Sequence, residues 1–350
     1  MSIITPHLEN LLEIDLEEIR SMKPRDIKKM TFTDDQARGM VRLYYRIQKF
    51  RTATFNQTRA FVEADREHTL VYFFGTEMEH LEKQCKTALD AYSAKNPLGM
   101  WTRSNVGIAE VMASGLLANI DITKAPVVSH IWRYAGLDPT IEWLGAEKAA
   151  KLFNEVVGPR GIASQEQILE MAVKLNRNPE LFLPMMTETK KVNEETGETI
   201  TKPATRTDQI NTLAVRPWNA DLKMLCWKLG ESFVKFKNNP ECVYGRLYDV
   251  RRAYENQKNE NGDYADEAAR KLKNYNIVDK KTLDIYKSGK LPDGHLHSRC
   301  KRYAVKIFLS HYHAVAYEMH YHEKPPKPFA IAILGHAHEI PIPNWPMVEE

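Results

Sequence analysis

Six basic residues, Arg38, Arg42, Arg46, Lys49, Arg51 and Arg59, lie between Gln36 and Val62 with no acid among them. Cations without neighbouring carboxylates suit phosphate contact, an electrostatic attraction indifferent to base sequence. At 100° per residue, Arg38, Arg42, Arg46 and Lys49 fall within one quarter of a helix, while Met40, Leu43, Tyr44, Ile47 and Phe50 take the other side and are expected to pack. A solvated face on a bundle helix shares this pattern; the missing acids favour a helix lying along phosphates.

The stretch Val106-Gly107-Ile108-Ala109 is a second candidate. Glycine permits a tight turn with positive φ, and the helix expected over 110–119 presents unpaired N–H groups at its start, where an anion is favoured. Ala113, Ser114, Gly115 and Ala118 allow a partner helix to approach closely. This is the pattern of a helix-hairpin-helix, which grips one phosphate backbone without reading bases. A plain helical hairpin shares it, and Ala109 stands where a second glycine is more usual. Arg299, Lys301, Arg302 and Lys306, on a helix expected over 296–321, would extend the footprint.

Hydrolytic and metal chemistry have thinner support. Eight of the twelve histidines fall in the last 56 residues: His295, His297, His311, His313, His320, His322, His336 and His338. On a helix His311 and His313 diverge by about 200°, so they cannot share an ion; aromatic packing is the better reading. Phosphodiester cleavage usually needs several carboxylates converging on metal ions. Asp121, Asp138, Glu142 and Asp221 occur singly, outside any recognised catalytic motif. No cofactor and no metal site are expected.

The elements that must position these residues follow from local signals. Met22-Lys23-Pro24 marks a break after a short acidic N-terminal segment. Thr33 with Gln36 forms a capping-box signature, and no proline intervenes before Pro97, so helix is expected through much of 34–92. Further helices are expected over 146–157, 164–176 (Ser164 and Gln167 form a second box), 219–237 and 244–258, with two more between 264 and 288. Residues 187–208, rich in Thr and Glu with Asn193 to Gly197 as a turn, predict a β-hairpin or loop. The fold class is mainly α: a long N-terminal helix, a helical domain with a helix-hairpin-helix, and a small β-hairpin insertion. The expected division is an N-terminal segment 1–32, a basic coiled-coil-like region 33–98, a helix-hairpin-helix domain 99–322 with an insertion at about 146–213, and an extended proline-rich tail 323–350.

With 350 residues and 43% hydrophobic content the chain can bury real cores. Net charge is only +3, so the distribution of charge matters more than its sum. Cys85, Cys226, Cys242 and Cys300 are far apart, indicating buried thiols and neither a disulfide framework nor a zinc knuckle. No run of eighteen apolar residues exists and the N-terminus is acidic, so no membrane partner is expected and the chain is placed in the cytoplasm, at a nucleoid or in a phage-infected cell.

Six stretches in order carry a resemblance: "RIQKFRTATFNQTRAF" (46–61), "NVGIAEVMASGLLANI" (105–120), "HIWRYAGLDP" (130–139), "RPWNADLKMLCWKLGESFVK" (216–235), "YGRLYDVRRAYE" (244–255) and "HLHSRCKRYAVKIFLSHYHAVAY" (295–317). Together they resemble the C-terminal half of transposases related to the pilin-gene invertase, the insertion-sequence family that uses a bridge RNA. The resemblance implies a coiled-coil helix joined to a helix-hairpin-helix domain, and a homo-oligomer through the long helix. Two departures stand out. Too few residues precede the basic helix for that family's RuvC-like nuclease domain, and Leu144 stands where its serine would precede Gly145. The leading expectation is therefore a protein that binds DNA, or structured RNA, without its own strand cleavage. The alternatives are an active recombinase or nuclease whose acids come from elsewhere, and a structural adaptor on the same scaffold.

Overall fold

The computed structural model describes residues 22–66, 68–192, 199–326 and 340–347. It is mainly helical, with one two-stranded antiparallel sheet among the described residues. The chain divides into two compact units. The first runs to Asp121 and adds Lys235–Val243 and residues from Pro341; the second holds Ile122–Val234 and Tyr244–Ile340. The boundary therefore leaves the expected helix-hairpin-helix with the basic helix and not with the rest of 99–322.

In the first unit, α1 (Pro24–Ile27) precedes α2 (Asp34–Glu63) and α3 (Thr69–Ala94). Pro24 opens a helix at its first turn, where a missing N–H costs nothing. The capping box at the start of α2 is formed: Gln36 N donates to Thr33 Oγ1 at 3.3 Å and Thr33 N to Gln36 Oε1 at 2.9 Å.

The single long helix expected over 34–92 is instead an antiparallel hairpin. Asp65 turns left-handed at φ 54°, and the sequence Asp65-Arg66-Glu67-His68-Thr69 has no apolar side chain to carry a core-facing stripe across the break. Contacts run in opposite order along the two helices: Tyr92 Oη to Asp34 at 2.7 Å, Arg51 Nε to Glu82 at 2.5 Å, and the Phe55 ring tilted against that of Tyr72 at 6.3 Å. Next come α4 (Pro97–Ser104) and α5 (Glu110–Asn119). Asn96 caps α4 by accepting from Leu98 N, with Pro97 at the first helical position. The small face of α5 is buried as expected; Ser114 Oγ donates to Leu89 O of α3 at 2.8 Å. Trp101 is fully buried and donates to Pro343 O, which anchors the described end of the tail.

The second unit contains α6 (Val128–Tyr134), α7 (Gly145–Val157), α8 (Gln165–Lys174) and α9 (Pro179–Thr187). A hairpin of β1 (Glu188–Val192) and β2 (Thr199–Pro203) follows, with Glu188 opposite Pro203; its expected turn at 193–197 lies outside the described residues. The remaining helices are α10 (Arg206–Ala214), α11 (Ala220–Lys235), α12 (Val243–Glu260), α13 (Ala265–Asn274), α14 (Lys280–Lys287) and α15 (Asp293–Tyr321). Phe153, Ile168, Met171, Phe182 and Met186 bury one core between α7 and α10. A second is aromatic, with Phe233, Tyr244 and Phe308 at ring separations of 5.0 to 5.8 Å. The Ser164 and Gln167 box at α8 is formed as expected.

Candidate nucleic-acid interface

On α2 the buried positions are Ala37, Val41 and Ile47. Arg42, Arg46 and Lys49 are exposed, and no ion pair holds Arg46 or Lys49 among the described residues. The expected apolar face needs correction: Leu43 and Phe50 are 47% and 63% exposed, so they flank the cations and do not pack. The core stripe sits about a quarter-turn further round, because α3 packs against Tyr44, Ile47, Gln48 and Phe55 while the flank carrying Leu43 faces water.

Arg38 serves the fold. Its guanidinium donates to Ala118 O at 2.6 Å at the C-terminal end of α5, where a cation complements the helix dipole, and it also pairs with Asp35. Arg51 is paired with Glu82, which raises its pKa. Together with Arg59, Thr52, Phe55, Asn56 and Tyr72 it lines an open cleft of about 470 Å³. The sequence shows the cations and Phe55 on one helix face, but not Tyr72, which only the hairpin brings beside them.

The glycine turn forms where expected: Gly107 has φ 96°, Ile108 N donates to Asn105 O at 3.0 Å, and α5 begins after Ala109. Ile108 is 5% exposed, so its side chain belongs to the core and only its backbone could touch a ligand. The positive end of α5 is already met by a protein anion. Glu110, in the first turn, pairs with Lys86 at 3.0 Å. An incoming phosphate at Gly107, Ile108 or Ala109 would face that carboxylate.

On α15 the four cations divide. Arg299 donates to Glu255 at 3.1 Å and to Glu267 at 2.8 Å, and Lys301 pairs with Glu231, so both are tied into ion pairs. Glu255 is the hub of this network, its side chain 1% exposed, accepting from Arg251, Arg299 and the Tyr264 hydroxyl. Burial alone would raise its pKa; the Tyr264 and Arg251 hydrogen bonds and the nearby guanidinium groups outweigh it and hold the carboxyl below its ordinary value.

Arg302 and Lys306 are different. Arg302 reaches solvent at the residue level, yet neighbouring side chains strip water from its guanidinium and, with Arg299, lower its pKa. The Lys306 ammonium lies 4.2 Å from the Trp132 ring centre, and Trp132 Nε1 donates to Lys306 O at 3.2 Å.

Two cations outside the expected footprint complete this neighbourhood. Lys223 lies 3.7 Å from the Trp218 ring centre, and Arg216 lies 4.6 Å from that of Trp143. The local signals are the spacing of Arg216 and Trp218 in "RPW" and the Trp132-Arg133 pair in "HIWRYAGLDP".

Three histidines of α15, His297, His311 and His313, are packing residues with defined partners, whereas His320 is exposed. His297 meets the Tyr248 hydroxyl at 2.7 Å, His311 meets Tyr244 at 2.9 Å and Ile340 O at 3.1 Å, and His313 meets Ala125 O at 2.8 Å. Burial pushes His311 down to about 4. His336 and His338 lie outside the described residues. Asp138 accepts from Thr140 N and Oγ1 and pairs with Arg133 at 3.1 Å, while Glu142 pairs with Lys148 at 2.8 Å.

No protein-family model matches the chain, and neither does any curated protein or solved structure.

Proposed function

We propose that this chain binds nucleic acid through its phosphates, with duplex DNA as the partner of α2, and that it carries out no strand cleavage of its own. The observation that carries this reading is the exposed, acid-free row Arg42, Arg46 and Lys49. Four residues of helix advance about 6 Å, so the row offers cations at close intervals along a straight edge. Such contacts fix position without reading sequence. The relation to transposases rests on the order of the six motifs. The lack of cleavage rests on Leu144 at the nucleophile position and on the ion pairs that occupy Asp138 and Glu142.

Self-association belongs to the same reading. Val62, Leu70, Phe73 and Phe74 are each about half exposed near the turn of the α2–α3 hairpin, an apolar patch that a second copy would cover.

The test is charge reversal. Arg42→Glu with Arg46→Glu should weaken binding to labelled duplexes by the same factor whatever their sequence. Unchanged affinity would remove α2 from the interface.

A further inference from the structure

Four cations of the second unit with no carboxylate ion pair among the described residues, Arg216, Lys223, Arg302 and Lys306, converge from three segments. Helices α11 and α15 approach closely at Gly230, where an added Cβ would lie 3.2 Å from Lys301 Cβ and 3.5 Å from Val305 Cγ2. On α11, Lys223 and Trp227 are four residues apart and share a face; on α15, Arg302 and Lys306 do the same. Arg216 approaches from the segment before α11, beside Trp143.

Indole rings hold three of these four cations in place. Lys223 rests on Trp218, whose ring packs against Gly136 so tightly that a Cβ there would lie 2.8 Å away. Lys306 rests on Trp132 and Arg216 on Trp143. Mutual repulsion is evident. After desolvation, the next causes that lower Lys223 are Arg216 and Arg302, and Arg302 also lowers Lys306 against the opposing pull of Asp138. Asp138 is itself committed to Arg133 and Thr140. The only carboxylates that act on the cluster among the causes of these shifts, Asp138 on Lys306 and Glu267 on Arg302, are already paired with Arg133 and Arg299, so like charges are kept together and an anion would relieve them.

Two rings beside the cluster keep exposed surface, Trp227 at 59% and Trp143 at 42%, although each carries a cation over one face, Lys301 at 5.9 Å and Arg216 at 4.6 Å. Exposed indoles next to positive charge are the elements of single-strand recognition, in which bases stack and phosphates follow the cations. A duplex keeps its bases stacked inside and offers nothing to those rings.

We infer that Lys223, Arg302 and Lys306, with Arg216 at the edge, form a subsite for the phosphodiesters of an unpaired nucleic-acid strand whose bases stack on Trp227 and Trp143. This deepens the nucleic-acid reading and rests on it, adding a single-strand preference that the α2 row does not supply.

The experiment titrates the full chain with a fluorescein-labelled oligothymidylate of about 12 nucleotides, within the usual span of a single-strand site. A duplex and a single-stranded RNA of the same length run in parallel, each over a range of salt. Arg302→Gln with Lys306→Gln should lower the ratio of single-strand to duplex affinity and flatten the single-strand salt slope by about 1.4, because two phosphates are no longer neutralised. Trp227→Ala should lower the same ratio while leaving that slope unchanged. Both Arg302 and Trp227 are exposed, so the single variants Arg302→Gln and Trp227→Ala keep the test valid if the double variant misfolds. The RNA arm tells which sugar backbone the strand carries. A wild-type chain that binds duplex, with variants whose ratio is unchanged, overturns the subsite and leaves the α2 reading intact. A wild-type chain that binds no oligonucleotide overturns both.

Discussion

Two glycines give one substitution two opposite outcomes. Gly99, in α4, lies so close to the end of α3 that an added Cβ would sit 2.1 Å from Ser93 O and 2.9 Å from Leu117 Cδ1. A backbone carbonyl cannot yield as a flexible side chain can, so Gly99→Ala must move α4. Overpacking of this kind costs about 1–3 kcal/mol. The 2.1 Å contact with backbone places the cost at the top of that range, about 3 kcal/mol, and alanine's better helix propensity returns about 1 kcal/mol, which leaves a net loss of about 2 kcal/mol.

Gly39, inside α2, has nothing within 4 Å of an added Cβ. There Gly39→Ala removes only the entropic penalty of glycine in a helix and should gain about 0.5–1 kcal/mol. Urea unfolding followed by far-ultraviolet circular dichroism measures both: the Gly99→Ala midpoint should fall and the Gly39→Ala midpoint rise, at unchanged slope. Gly39→Ala alters no charge, so it should also leave duplex affinity undiminished. A Gly99→Ala chain as stable as wild type would refute the close approach of Gly99 in α4 to Ser93 at the end of α3.

Removing the buried hub, Glu255→Ala, leaves Arg251 without its carboxylate and Arg299 with Glu267 alone, and should destabilise the second unit by about 1–3 kcal/mol in the same assay. Because the Glu255 pKa is depressed on folding, its contribution is complete above about 4.3, the unfolded value, and fades as pH falls through the lower folded value; Glu255→Gln should lose that part of the acid dependence. His311, held neutral down to about 4, favours the folded state fully above its unfolded pKa of about 6.5. That contribution is lost between about 6.5 and 4 as the unfolded chain takes up the proton first, so urea midpoints should fall over that window and fall less in a His311→Gln chain. All four cysteines are buried, and burial drives Cys226 up to about 12; thiol titration at pH 8 should find no fast-reacting group until urea is added.

Local chemistry made much of the fold legible. Thr33 and Ser164 mark true helix starts because a capping box needs only residues three positions apart. Gly107 marks a true turn, and the Thr-rich stretch is a β-hairpin. What the sequence hid depends on distant partners. The break at Asp65 carries no proline or glycine, and the hairpin it creates is held by pairs such as Arg51 with Glu82. Arg299 and Lys301 looked like part of a basic surface, yet Glu255, Glu267 and Glu231 lie 32 to 70 residues earlier in the chain. Lys223 and Arg216 stayed hidden for the same reason: their meaning comes from Trp218, Trp143 and the cations of α15, assembled only when α11 packs on α15.

The most direct test of nucleic-acid binding through phosphates is the salt dependence of duplex affinity for the unmodified chain. Three contacts, from Arg42, Arg46 and Lys49, predict a slope of log K against log salt of about −2.7, the same for unrelated sequences. A flat line, or no binding at the lowest salt, would contradict the account.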